Sequence, residues 1–122
     1  MNNYNTLGHN LKRGIFRFCE KITGEFHKPI QKFITDMVYG LLSGKSCYLT
    51  EIARKLNEDI ALDKTVERLS RNLMNFDDDE KLRESYFDSV NKSFDDSTVI
   101  IFDDSDVSKT CSVKLEGLQH IK

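Results

Sequence analysis

Apolar residues spaced three and four positions apart run through most of this chain of 122 residues, from Leu11 to Val90. This spacing places apolar side chains on one face of an α-helix, so it predicts a succession of amphipathic helices. Glycines, polar clusters and Pro29 divide the pattern into five segments. The predicted helices span residues 10–22, 29–42, 51–57, 64–74 and 80–94, and the expected N-caps of the third and fourth are Thr50 and Asp63.

A different pattern follows the fifth helical segment. Thr98–Phe102 is dense in β-branched and aromatic residues, which predicts a buried strand, and the alternation in Ser112–Leu115 indicates a second, short strand. The expected fold class is therefore α+β. An N-terminal bundle of about five helices would occupy residues 1–94, and the first one or two strands of an incomplete second domain would occupy residues 95–122.

The charges of the chain are unevenly distributed although the net charge is only −2. Residues 1–76 hold 12 Lys and Arg against 8 Asp and Glu, a sum of +4, whereas residues 77–122 hold 6 against 12, a sum of −6. A basic first part could meet a polyanion and an acidic second part could hold cations. The longest apolar run is Val99–Phe102 and there is no signal-peptide pattern at the start, so the expected location is the cytoplasm, with no membrane partner.

The third and fourth predicted helices have the spacing of a helix-turn-helix. The fourth places Lys64, Arg68 and Arg71 on one face, with Ser70 and Asn72 as further hydrogen-bond donors, and these side chains could reach phosphates or base edges. The third ends in Arg54 and Lys55, which complete the expected nucleic-acid-binding set. The predicted connection of about six residues is longer than the usual three or four. A plain helical bundle with a solvated basic face explains the same spacing.

The acidic cluster Asp103-Asp-Ser-Asp106 directly follows the predicted strand. Carboxylate oxygens at the end of a rigid strand are suitable ligands for Mg²⁺, and such a carboxylate can bridge the two ions of a phosphoryl-transfer site. Asp and Ser are also common turn residues, so a solvated acidic turn is the alternative.

Taken in order, these segments resemble the N-terminal part of a DDE transposase from a bacterial insertion sequence. The resemblance covers about residues 28–118 and rests on four short motifs. They are KPIQKFI at 28–34, LTEIARKL at 49–56 with TVERLSRNL at 65–73, the Asp-Asp-Ser motif at 103–105 with Lys109 after it, and the pair Glu116-Gly117.

The resemblance implies a ribonuclease H-like catalytic domain that begins at the Thr98–Phe102 strand. It implies that Asp104, with Asp103 as the nearest competitor, is the first catalytic and metal-binding acid, with Mg²⁺ or Mn²⁺ as the cofactor. The expected partners are double-stranded DNA at the terminal inverted repeats of the element and either a second copy or a full-length transposase.

The other two acids of the triad, an Asp and a Glu, lie far downstream in the family, and this chain has no room for them. We therefore expect a truncated transposase that binds DNA and is inactive in strand cleavage on its own. The competing hypothesis is a small helical regulator that acts through protein contacts and has no nucleic-acid role.

Overall fold

The computed structural model describes residues 3–103 and, within that range, consists of five α-helices joined by short connections. The succession of helices expected from the apolar spacing is thereby confirmed. Their bounds are α1 Asn3–Thr23, α2 Lys28–Gly44, α3 Leu49–Leu56, α4 Leu62–Met74 and α5 Asp79–Asn91. None of the helices in residues 3–103 has the length and apolar content of a membrane-crossing segment.

The main core lies between α2, α3 and α4. Its buried residues are Phe33 and Ile34 from α2, Ile52 and Ala53 from α3, and Leu69 from α4, all at most 5 % exposed. Burial of this apolar surface stabilises the three helices as one packed unit, because short helices gain most of their stability from tertiary contacts.

Two further contacts attach the outer helices. Gln31 on α2 donates hydrogen bonds from Nε2 to the carbonyl oxygens of Thr23 and Phe26, at 3.0 and 2.8 Å, and so fixes the link between α1 and α2. The rings of Phe18 on α1 and Tyr86 on α5 meet edge to face, with centroids 6.3 Å apart. The carbonyl groups of Thr23 and Phe26 at this link therefore have a side-chain donor, and α5 packs on the side of α1.

The predicted α+β fold class is wrong for the described chain, because residues 3–103 contain helices and no strand. Thr98–Phe102, expected to be a buried strand, has no ladder partner there, and Val99, Ile100, Ile101 and Phe102 are 81–89 % exposed. High β-propensity becomes a strand only when another strand supplies backbone hydrogen bonds. The second predicted strand, Ser112–Leu115, lies outside the described residues.

The helix ends also differ from the prediction. The residues at the N-cap positions of α3 and α4 are Tyr48 and Ala61, neither with a side-chain cap, so the assignments of Thr50 and Asp63 were wrong. Helix α1 begins at Asn3 instead of near Asn10, and α5 ends at Asn91. The connection between α3 and α4 consequently shortens to five residues, 57–61.

Candidate nucleic-acid interface

The turn between α3 and α4 starts at Asn57, which adopts the left-handed conformation with φ 48° and ψ 50°. Asparagine tolerates this region better than most residues, and its N–H donates to the Ala53 carbonyl oxygen at 3.3 Å. Helix-turn-helix connections often carry glycine, another residue that tolerates this conformation. Helix α4 begins directly after the turn, where the N–H groups of Lys64 and Thr65 donate to the carbonyl oxygen of Ala61.

Arg68, predicted to contact nucleic acid, points instead into an ion-pair network between helices. Its guanidinium lies 2.9 Å from Asp36 on α2 and donates to both carboxylate oxygens of Glu58, at 2.9 and 3.0 Å. Lys32 donates to the same two acids, and Thr65 donates to Glu58 at 3.0 Å. We call these five residues, Lys32, Asp36, Glu58, Thr65 and Arg68, the Glu58 network.

The Glu58 network holds α4 against α2 and the α3–α4 connection. The Arg68 side chain is only 29 % exposed, and every charge in the network faces an opposite one. Hydrogen bonds from Lys32, Arg68 and Thr65, opposed by partial burial, lower the pKa of Glu58 to about 2. Arg68 is therefore occupied in positioning the helix.

The solvent side of α4 carries four charged residues, Asp63, Lys64, Glu67 and Arg71, which we call the outer face of α4. Glu67 lies between the two cations, 3.3 Å from Lys64 Nζ and 2.9 Å from Arg71 Nη2. The side chains of Lys64 and Arg71 are each 66 % exposed. Two acids and two bases give this face a formal charge of zero.

A groove of about 690 Å³ runs along the same side of α4, between it and the start of α3. Leu62, Val66 and the strongly exposed Met74 form the apolar part of its lining, and the remaining lining residues are polar or charged: Thr50, Asp63, Glu67, Ser70, Arg71 and Asn75. Of the two further donors predicted on α4, Ser70 lines the groove together with Arg71, whereas Asn72 is half-buried and is not among the lining residues.

The two predicted contacts on α3 are both exposed. Arg54 forms an ion pair with Glu51 one turn earlier on the helix. Lys55 has no ion pair within residues 3–103 and lies at the end of α3, close to Gly44. Both side chains therefore lie in solvent at the surface of α3.

The predicted metal site falls at the edge of the described chain. Asp103 is exposed and lies in non-helical backbone, and Asp104 lies outside the described residues. Within residues 3–103 no cluster of three His, Cys, Asp or Glu side chains could hold a metal ion. The assignment of Asp104 as a catalytic acid stays a prediction.

Comparison with protein-family models, curated proteins and solved structures found no match. The transposase resemblance therefore continues to rest on the sequence motifs alone.

The residues that sequence reasoning missed are the acids of the Glu58 network. Their signal was faint, because Asp36 at four residues from Lys32 looks like an ordinary surface pair and Glu58 lies in a polar connection.

Proposed function

We propose that this chain binds double-stranded DNA through α3 and α4, as the DNA-binding part of a transposase. The observation that carries the proposal is the arrangement of α4. Thr65 and Leu69 anchor one side of this helix in the core, and Lys64, Ser70 and Arg71 lie towards solvent on the other. The turn at Asn57 and the packing of both helices on α2 support a helix-turn-helix unit.

The ion-pair partners of the three cations on α4 support two different roles for them. Arg68 has two acidic partners in the Glu58 network and holds the helix in place. Lys64 and Arg71 share one exposed partner, Glu67, and such surface pairs on a helix contribute little free energy. A DNA phosphate can therefore replace Glu67 as their partner at low cost.

The first experiment measures affinity for a mixed-sequence DNA duplex by fluorescence anisotropy over a range of salt concentrations. We expect Lys64→Ala with Arg71→Ala to weaken binding for all sequences. Loss of two phosphate contacts makes the negative slope of log affinity against log salt shallower by about 1.8, or about 0.9 per contact.

The matched control is Arg83→Ala on α5, an exposed arginine that also pairs with an acid one turn earlier, Asp79. This variant should bind like the wild type. A wild-type chain that has no affinity for duplex DNA at about 50 mM salt, or an affinity that salt does not change, contradicts the proposal.

The apolar groove along α4 favours a second candidate function, a helical module that binds another protein. Met74 in this groove is 83 % exposed and Leu62 is 38 % exposed, and apolar surface gathered in one groove is typical of protein-binding sites. This candidate takes precedence if the wild-type chain shows no salt-dependent affinity for duplex DNA.

A further inference from the structure

Helix α1 carries four cations that the predicted DNA-binding set left out. They are Lys12, Arg13, Arg17 and Lys21, which we call the α1 cationic face, and all four side chains are exposed. The one acid within Asn3–Thr23 is Glu20, so the helix has a formal charge of +3. None of the four cations forms an ion pair with a carboxylate in the part of the chain that the structure describes.

Most cations of α3 and α4 differ from those of α1 in this respect. Arg54, Lys64, Arg68 and Arg71 each have at least one carboxylate partner, whereas Lys55 has none in residues 3–103, and the outer face of α4 sums to zero charge. Release of counterions by protein cations supplies most of the affinity for a DNA backbone, and on α4 only Lys64 and Arg71 are exposed to supply it. If α4 meets DNA, further electrostatic affinity must come from another surface.

The geometry of α1 suits a row of phosphates. Arg13, Arg17 and Lys21 follow one another at intervals of four residues, so they lie along one side of the helix, about 6 Å apart. The opposite side is apolar, and in the second half of the helix it packs on the protein, with Cys19 and Ile22 at 0 and 4 % exposure. Arg13, Arg17 and Lys21 consequently point away from the core.

Lys12, one cation of α1, also borders the α3–α4 unit. The rings of Phe16 on α1 and Tyr39 on α2 stack with centroids 6.3 Å apart, and Lys12 Nζ lies 5.2 Å from the Tyr39 centroid. Lys12 shares a small cleft with Leu56 and with the acids Asp36 and Glu58, at the point where α3 leads into the turn. A duplex held at the turn could therefore reach α1.

We propose that the α1 cationic face is a second nucleic-acid contact, which binds the phosphate backbone of the duplex that α3 and α4 approach. This proposal rests on the proposed function. Backbone contacts fix the position of a protein on DNA without reading the sequence. In this arrangement α1 adds phosphate contacts to those of Lys64 and Arg71, and Ser70 on α4 is left to read base edges.

A basic amphipathic helix can also lie on an anionic membrane surface. That mode requires the apolar side of the helix to enter the lipid. In the second half of α1, which carries Arg17 and Lys21, Cys19 and Ile22 are buried against the protein and Phe18 meets Tyr86 of α5. In the first half of the helix Leu7 and Leu11 are 58 and 61 % exposed. The half with Arg17 and Lys21 is therefore not free to place its apolar side in lipid, which favours a polyanion that approaches from the cationic side.

The test is the double variant Arg13→Gln with Arg17→Gln, measured by the same anisotropy titration on duplex DNA. We expect the salt slope to fall by about 1.8 and the affinity at about 100 mM salt to fall roughly tenfold or more. Arg13→Lys with Arg17→Lys should restore binding, because a phosphate accepts either cation. Arg83→Gln is the matched control, and circular dichroism checks the helix content of each variant.

The outcomes separate this proposal from the proposed function. Suppose that the wild type binds DNA and that Lys64→Ala with Arg71→Ala weakens this binding. If Arg13→Gln with Arg17→Gln then leaves both the salt slope and the affinity unchanged, the α1 proposal is overturned and the proposed function stands. If only the α1 variant weakens binding, the α1 proposal is supported and contact by α4 is overturned. If the wild type binds phosphatidylserine vesicles and no duplex, both are overturned.

Discussion

At the scale of single residues, three cations of one helix have different environments that their spacing does not reveal. Lys64, Arg68 and Arg71 were predicted as one set, yet Arg68 lies inside the Glu58 network and the other two lie outside it. Periodicity identifies the side of a helix from its own sequence. It cannot identify Asp36, because that partner comes from another helix whose position depends on the tertiary fold.

The Glu58 network gives a prediction for stability and its pH dependence. Glu58→Gln removes the negative charge that faces Lys32 and Arg68, and we expect a loss of roughly 1–2 kcal/mol in the free energy of unfolding at neutral pH. The pKa of Glu58 falls from 4.5 to about 2 on folding, so its contribution is complete above about pH 4.5 and disappears as the pH drops towards 2.

Urea unfolding at pH 7 and at about pH 2 measures both effects. The difference between wild type and Glu58→Gln should be large at pH 7 and small at the acidic pH. The control is Glu67→Gln, which removes an exposed acid from α4 and should change stability little. Equal losses in the two variants would show that the Glu58 network does not hold α4.

At the scale of the elements, apolar periodicity predicted the helices well and their ends poorly. The buried face of α2 follows the 3–4 spacing directly, and Pro29 lies in its first turn as expected. The N-cap assignments failed because α3 and α4 begin without any side-chain cap. Packing of Ile52 and Leu69 in the core fixes where these helices lie, and a cap adds only a smaller contribution.

One close approach between elements depends on Gly40 in α2. A Cβ at this position would clash with the side chain of Ile52 and lie 3.2 Å from its Cα. We expect Gly40→Ala to destabilise the chain by about 1–3 kcal/mol, since the cost of overpacking exceeds the gain in helix propensity of about 1 kcal/mol.

Gly14→Ala is the matched control on α1, because a Cβ there meets nothing within 4 Å. This change should stabilise the chain by about 0.5–1 kcal/mol through helix propensity alone. Thermal unfolding followed by circular dichroism compares the two. An unchanged or higher midpoint for Gly40→Ala would mean that α2 and α3 can separate without cost.

At the scale of the whole molecule, the described chain is a helical body followed by an exposed apolar segment at 99–102. The prediction of a buried strand at Thr98–Phe102 failed here for a physical reason. A run of β-branched residues specifies a strand only in combination with a sheet, and residues 3–103 provide none. Local sequence patterns thus predicted the helices and all four exposed cations on α3 and α4, which are Arg54, Lys55, Lys64 and Arg71.

A substitution in this segment tests the correction. Val99→Ser with Ile101→Ser should leave the free energy of unfolding within about 0.5 kcal/mol of the wild type, because both side chains are more than four-fifths exposed. Ile52→Ala, at 0 % exposure, should cost about 2–5 kcal/mol in the same urea titration. A comparable cost for the 99/101 variant would show that this segment packs in a core after all.

The Glu58 network and the outer face of α4 lie on different sides of one helix, and this separation has an evolutionary consequence. Residues 64, 67 and 71 can change without disturbing the partners of Arg68, so new side chains can be sampled there while the body stays folded. Related chains that diverge in what they recognise should vary at these three positions and keep Asp36, Glu58 and Arg68. One side of α4 therefore tolerates substitutions, and the side that carries Arg68 is expected to be conserved.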